Sequence, residues 1–497
     1  MLRHSYDLLS LEGLPEGDCP YRLSGILTEQ GVDLQERFPM LNGVLAMATP
    51  PPPGEKTSLL GLEFEVDPEA KTVTWEATGP LASLAEGELE KLQAAVQRSA
   101  HPIAIREDAV VYNLYQPPVP SRRLVNHMAR LVMQGREVVR PTTCTLQVTT
   151  RCQLGCYHCS AAKYKTQQRP ELTTEEMLSV VDQALDMGIF NITYTGGEPL
   201  LRQDIFDLIA AVDHDRAHVS MFSNGLLLTE ENVARLVGAG LHSLMVSIDD
   251  PRPEVHDSLR GMEGCYDKAI AGLIRAQEAG LLVALSTYAS GEDVREGRVE
   301  QLIEKARELG CDEVTVFDVV PTGSLLPMEE KCLITRDERR HLIDLARRFS
   351  ALAEYPNIVA QSEVEGPDCA GCMGAHTQFY MTAFGDVDPC DFMPLTFGNV
   401  KDDSLETIWQ RMRSHPAFIV HADHCLMQDR GFRAEYIDDI PKDMLLPWPA
   451  CEELKDRPNT PPAMKLDFRE GCMPAKGKVR YKRLTPEGQV VSSEPAE

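Results

Sequence analysis

Between Thr143 and Val319, six short apolar runs alternate with five stretches of helical periodicity. The runs are Cys144–Thr150, Asn191–Thr195, Val219–Ser223, Ser243–Asp249, Leu282–Tyr288 and Glu313–Val319. They are too short for buried helices and read as strands. The stretches between them, Thr174–Met187, Gln203–Val212, Glu230–Gly238, Tyr266–Ala279 and Glu300–Leu309, place apolar residues on one helical face. Such alternation predicts an α/β fold with a parallel sheet and helices outside it. Right-handed crossovers curl the six units into an open, partial (β/α)6 barrel of the TIM type. In barrels of this kind the chemistry sits on loops at the carboxyl ends of the strands.

The loop after the first strand is Arg151-Cys152-Gln153-Leu154-Gly155-Cys156-Tyr157-His158-Cys159-Ser160, a C-x3-C-x2-C array. Three thiolates on one loop can hold three irons of a cubane cluster and leave the fourth open. Zinc is the alternative, but its structural sites take four ligands. No fourth cysteine or histidine pair stands nearby at finger spacing, and His158 lies inside the array.

Turns at the ends of later strands are also polar or tight. Thr195-Gly196-Gly197-Glu198-Pro199 combines two glycines, which let backbone approach closely, with a carboxylate able to accept from an ammonium group. Ser223-Asn224-Gly225 and Ser247-Ile248-Asp249 end the third and fourth strands with short donors and acceptors, and Val320-Pro321 ends the sixth with apolar surface. Singly each reads as an ordinary turn. Together they would surround one site.

Cys152, Cys156 and Cys159, Gly196-Gly197-Glu198-Pro199, Ser223-Asn224-Gly225, Ser247-Ile248-Asp249 and His256-Asp257-Ser258-Leu259-Arg260-Gly261 jointly resemble the radical SAM superfamily over roughly residues 140–325. The resemblance implies a [4Fe–4S] cluster on the three cysteines, with S-adenosylmethionine (SAM) chelated to the open iron. It implies that Glu198 and the Gly196–Gly197 backbone hold the SAM ammonium. Ser223, Asn224, Ser247 and Asp249 become candidates for its ribose and carboxylate, and Val320 for a wall against its base. One-electron cleavage would give methionine and a 5′-deoxyadenosyl radical that abstracts hydrogen from substrate. No catalytic residue is assigned beyond the cluster. One departure is His158, where the family usually has an aromatic residue, often tyrosine. Tyr157 reads as packing.

A second cysteine group begins with Cys369-x2-Cys372, followed by Gly385, Cys390, Gly398-Asn399, Ile408-Trp409 and Cys425. Four cysteines at these spacings could also bind zinc. The arrangement resembles the auxiliary-cluster extension of radical SAM enzymes, called SPASM or, in truncated form, twitch. The full form continues with a dense cysteine run; here Cys425 alone follows closely. The resemblance therefore implies one auxiliary [4Fe–4S] cluster on Cys369, Cys372, Cys390 and Cys425, with Cys451 or Cys472 as possible replacements. Cys19, Cys144, Cys265, Cys311 and Cys332 read as isolated core residues.

The sequence divides into an N-terminal α+β region (1–118), the barrel (119–335), the cysteine-rich domain (336–440) and a C-terminal extension (441–497). In the first region, Ser58–Trp75 reads as strands and Leu84–Gln97 as a helix, and Pro50 to Gly54 breaks the chain. Pro117-Pro118-Val119-Pro120 reads as a stiff linker before a helix over Arg122–Gln134. The net charge of −27 has the wrong sign for non-specific binding to nucleic acid or anionic membrane. No apolar stretch reaches bilayer length and no secretory signal is evident. The expectation is a cytoplasmic enzyme, its 14 cysteines not paired in disulfides and the clustered ones used for metal. Its expected partners are an electron donor such as ferredoxin or flavodoxin and a peptide, protein or small-molecule substrate. The leading function is radical maturation of a peptide, protein or cofactor precursor. Small-molecule chemistry, on a tetrapyrrole side chain or a lipid, is second. An iron–sulfur electron carrier without SAM turnover is the reading from another class.

Overall fold

The structure is a computed structural model. It describes residues 1–14, 21–30, 33–49, 51–99, 101–134, 139–162, 169–326, 333–440, 446–451, 454, 459, 482–484 and 490–492. Cys19, Cys332 and Cys472 lie outside the described residues. The chain forms two compact units, Met1–Val139 with Asp213–His218, and Arg140–Val212 with Val219–Glu497.

The first unit is built on four antiparallel strands, β1 (Leu2–Gly13), β2 (Tyr21–Ser24), β3 (Lys56–Asp67) and β4 (Thr72–Thr78), in the order β2-β1-β3-β4. Sequence reading finds β3 and β4 but misses β1. Its first half alternates exposed and half-buried residues, and the buried positions, Leu8 to Leu11 and Gly13, lie in the second half. Leu9, Leu60, Leu62 and Phe64 form a core with Val125, Met128 and Ala129 of the helix Arg122–Gln134. Two short strands follow, β5 (Ala104–Arg106) and β6 (Ala109–Val111). The expected stiff linker is not free. Val119 is buried and exchanges two 2.8 Å backbone hydrogen bonds with Val110.

The second unit contains β7 (Thr143–Gln147), β8 (Asn191–Thr195), β9 (His218–Ser223), β10 (Ser243–Ser247), β11 (Leu282–Ala289) and β12 (Glu313–Asp318), the six expected strands. Three more extend the sheet: β13 (Asn357–Ala360), β14 (Gln378–Met381) and β15 (Val387–Asp388). Among the described residues the order is β13-β12-β11-β10-β9-β8-β7-β14-β15. β7 and β12 are not neighbours, so the barrel is open. β14 lies parallel to β7 and turns back antiparallel as β15. Neither the seat of this hairpin on the sheet nor β13 follows from the sequence pattern.

Parallel strands are buried on both faces and so read as continuous apolar runs; all eight residues of β11 are buried. Helix ends are set by local chemistry. Thr174–Met187 starts at a reciprocal Thr173–Glu176 capping box and stops at Gly188 in the left-handed conformation. The hairpin turns at Gly385, whose φ of +91° favours glycine. Asn399 Nδ2 then donates to Phe384 O (3.0 Å) and Asp386 Oδ1 (2.9 Å), which gives the Gly-Asn motif a structural task. Ile408 and Trp409 are buried on the helix Leu405–Ser414. No helix among the described residues is long and apolar enough to cross a membrane. Trp409→Ala should cost about 3–5 kcal/mol, as for other buried aromatics, measured by chemical denaturation; a loss below about 1 kcal/mol would contradict this packing.

Candidate active site

The cysteine loop has little regular structure of its own, and neighbouring backbone fixes it. Gly197 N donates to Thr149 O (2.7 Å) and Glu198 N to Arg151 O (2.8 Å). A Cβ on Gly196 would lie 2.7 Å from Thr149 O, and one on Gly197 2.2 Å from Arg151 O. The close approach these glycines permit is therefore to the cysteine loop itself. From the other side, Gly155 N donates to Arg260 O (3.1 Å) and Tyr157 N to Leu259 O (3.2 Å). Glu171 gathers Thr149 Oγ1, Thr150 N and Thr150 Oγ1 at 2.6–3.0 Å.

A cavity of about 230 Å³ opens at the carboxyl ends of the strands. It is lined by Cys152, Cys156 and Cys159 and by Gly196, Gly197, Glu198, Ser223, Asn224, Ser247, Asp249 and Val320. Pro199 is buried beside it but does not line it.

Glu198 has no exposed surface. Its carboxylate accepts from Ser223 Oγ (3.0 Å), Asn224 N (2.8 Å) and Leu200 N (3.3 Å). Burial raises its pKa to about 7 against the pull of those hydrogen bonds. A carboxylate has about four acceptor sites, so these three bonds leave room for a further donor.

Asp249 is committed differently. Arg260 Nε and Nη2 reach its two oxygens at 2.6 and 2.8 Å, and its own amide donates to His256 Nδ1 (3.1 Å). Burial would raise the carboxyl, but the Arg260 guanidinium more than offsets it and holds Asp249 below the usual range. The H-D-S-L-R-G run thus braces the site. His256 and Arg260 hold Asp249, while Asp257 accepts from Gly264 N and Tyr266 N at the next helix.

His158 lies against Tyr288 with ring centroids 4.1 Å apart and planes tilted by 39°, and burial lowers its pKa to about 4. Its Nδ1 is buried without a hydrogen-bond partner. The cavity wall therefore includes an unsatisfied polar atom, which fits a polar occupant. Cys152 Sγ accepts from Leu154 N (3.4 Å) and Asn224 Nδ2 (3.9 Å). Tyr157 is 48% exposed, yet its ring packs edge-on against His158 and Tyr288 (centroids 5.3 and 6.2 Å), and its hydroxyl accepts from that of Tyr288 at 3.3 Å.

Several lining residues carried no sequence signal: Tyr288, Phe317, Asp318, Asp391 and Phe392. Asp318 is buried at the end of β12 and accepts from Ser362 Oγ and Gln428 Nε2 (2.8 Å). Asp391 directly follows Cys390, and burial raises it to about 6. Adjacency to a cysteine is the one feature that could have flagged it.

Of the second cysteine group, Cys372, Cys390 and Cys425 are buried and Cys369 is exposed. Cys144 and Cys311 are buried, and Cys265 Sγ donates to Asp257 (3.2 Å). Cys451 is half-buried. Among the described residues no three His, Cys, Asp or Glu side chains converge around a single metal ion. Ligands of a cubane bind separate irons and need not meet at one point.

Residues 146–306 match the radical SAM superfamily, and residues 372–428 match SPASM, an iron–sulfur cluster-binding domain. The chain belongs to the radical SAM superfamily. As a radical SAM protein with a SPASM domain it is an enzyme that uses SAM and [4Fe–4S] clusters. The AdoMet-dependent heme synthase of Methanosarcina barkeri (strain Fusaro / DSM 804) is 29% identical over 289 residues, 54% of this chain and 82% of that protein. The PqqA peptide cyclase of Rhizobium meliloti (strain 1021) is 28% identical over 291 residues, 56% of this chain and 76% of that protein. Among solved structures, Streptococcus suis SuiB bound to precursor peptide SuiA is 16% identical with a TM-score of 0.46, covering 72% of this chain and 86% of that one.

Arg260→Ala in this radical SAM site would leave Asp249 buried and unpaired. It should cost about 3–5 kcal/mol in chemical denaturation, and Asp249→Leu combined with Arg260→Met should recover most of that. Equal loss in the double variant would show that the pair's charge is not what matters.

Proposed function

We propose that the cavity at the strand ends cleaves SAM and presents a substrate hydrogen atom to the radical produced. The reading rests on one observation: the three loop cysteines, the polar ends of the second, third and fourth barrel strands and the apolar Val320 line a single cavity. Cys152, Cys156 and Cys159 hold the SAM-binding cluster. Among the described residues no fourth cysteine lines the cavity, which leaves one iron for SAM. When bound and reduced, cluster and SAM supply a 5′-deoxyadenosyl radical, with methionine as the other product.

The chain's own residues bind and orient. The free acceptor site of Glu198 takes the SAM ammonium. Ser223, Asn224 and Ser247 reach ribose and carboxylate. Asp249 is a positioning residue that acts through Arg260. Val320 and Phe317 provide an apolar wall. Asp391, near neutrality, is placed to exchange a proton with substrate. The SPASM cysteines would hold one auxiliary [4Fe–4S] cluster, which would supply electron transfer to or from the substrate. Reduced ferredoxin or flavodoxin supplies electrons in the cytoplasm, where thiols stay reduced.

The substrate is a peptide, protein or cofactor precursor undergoing maturation, which the PqqA peptide cyclase relative supports. The heme synthase relatives favour a second reading, a tetrapyrrole side chain. Anaerobically reconstituted protein reduced with dithionite should release 5′-deoxyadenosine from SAM. A chain with full iron content and no cleavage would contradict the enzyme reading.

The raised Glu198 gives a pH test. Because the folded carboxyl titrates near 7, above its unfolded value, it binds its proton more tightly in the fold; by itself it costs stability as pH rises through that range. SAM binding runs the other way, since the ammonium needs the ionised form. Affinity should rise several-fold from about pH 6 to about pH 8, and Glu198→Gln should bind weakly with a flat profile. An unchanged slope in Glu198→Gln would remove Glu198 from the ammonium site.

A further inference from the structure

We propose that Glu365 is the fourth protein ligand of the auxiliary cluster, in the place that the spacing offers to Cys369. This rests on the auxiliary-cluster reading above. Cys372, Cys390 and Cys425 are each less than 8% exposed, whereas Cys369 lies on the surface. Beside these three cysteines stands the half-buried carboxylate of Glu365. Glu365 sits at the end of the short helix Gln361–Val364. It accepts a hydrogen bond from the Cys425 thiol and another from Gln361 Nε2 (3.1 Å). The same Nε2 lies 3.9 Å from Cys425 Sγ. The Glu365 carboxylate is also near enough to raise all three buried thiols, Cys372, Cys390 and Cys425.

The substitution is chemically balanced. Three thiolates and one carboxylate bring the same total charge as four thiolates, so cluster and site stay matched. Carboxylate oxygen is a harder donor than sulfur and suits iron less strongly than thiolate does. One iron of the auxiliary cluster would then differ from the other three and hold its ligand more loosely. The position of Glu365 also links that iron to the substrate cavity. Gln361, which touches Glu365, accepts from Asp318 N through Oε1 (3.0 Å), and Asp318 lines the cavity. A chain of two hydrogen-bonded side chains thus runs from the cluster ligand to the substrate wall. Such outer contacts orient a ligand and tune its metal.

The test uses the full chain with Cys152, Cys156 and Cys159 changed to Ala, reconstituted with iron and sulfide, so that only the auxiliary cluster is seen. This parent should hold about four irons. Adding Cys369→Ser should leave iron content and the electron paramagnetic resonance spectrum of the reduced cluster unchanged. Adding Glu365→Gln should alter the spectrum and lower iron content at least twofold. Adding Glu365→Cys should keep about four irons, with a shifted spectrum and a Mössbauer pattern in which the four irons become alike; this variant also guards against misfolding of Glu365→Gln. Loss of iron in Cys369→Ser, or a spectrum unmoved by either Glu365 variant, overturns the assignment. A parent that holds no iron and sulfide overturns the auxiliary-cluster reading as well, so the two failures are distinct.

Discussion

The site depends on how an irregular loop with three cysteines is held still. Two backbone ladders do this. Thr149 and Arg151 carbonyls receive the Gly197 and Glu198 amides, and Gly155 and Tyr157 amides reach the Arg260 and Leu259 carbonyls. The first ladder is possible because positions 196 and 197 have no Cβ. The second is possible because the Asp249–Arg260 pair fixes the end of the helix Pro253–Arg260. Cluster ligands on a loose loop would pay for ordering at every loading. Here the fold orders them beforehand.

Charge follows the same logic. Glu198 and Asp249 are both buried carboxylates at strand ends, yet their environments push them apart. Glu198 has only neutral donors and is raised; Asp249 faces a guanidinium and is lowered. The raised group keeps an acceptor site free beside the cavity. The lowered one is already satisfied and belongs to the scaffold. Neutral His158, packed against Tyr288, closes this wall without adding charge.

Much of this was legible in the sequence because parallel strands announce themselves as apolar runs with turns at fixed ends. The strand Asn191–Thr195 and the helices Thr174–Met187, Glu230–Gly238 and Arg122–Gln134 fall where periodicity and caps place them. Strands β13 and β14 were harder. Each is four residues long, and pairing with β12 and β7 rather than local pattern makes them strands. The site's cysteines and polar turns were legible as motifs, but their division of labour was not. Nothing in the spacing says that Asp249 pairs with Arg260, or that Gly197 leaves room for the backbone of the cysteine loop. Asp318, Asp391 and Glu365 carry no motif, because a carboxylate's role depends on what surrounds it in space.

The central claim is that Cys152, Cys156 and Cys159 carry a cluster with an iron open to SAM. The most direct measurement is electron paramagnetic resonance of the reduced protein, with Cys372, Cys390 and Cys425 changed to Ala, before and after SAM is added. The account predicts a cluster signal that changes on SAM addition and is not moved by methionine-free 5′-deoxyadenosine. A cluster signal indifferent to SAM, or none at all with the three loop cysteines intact, would contradict it.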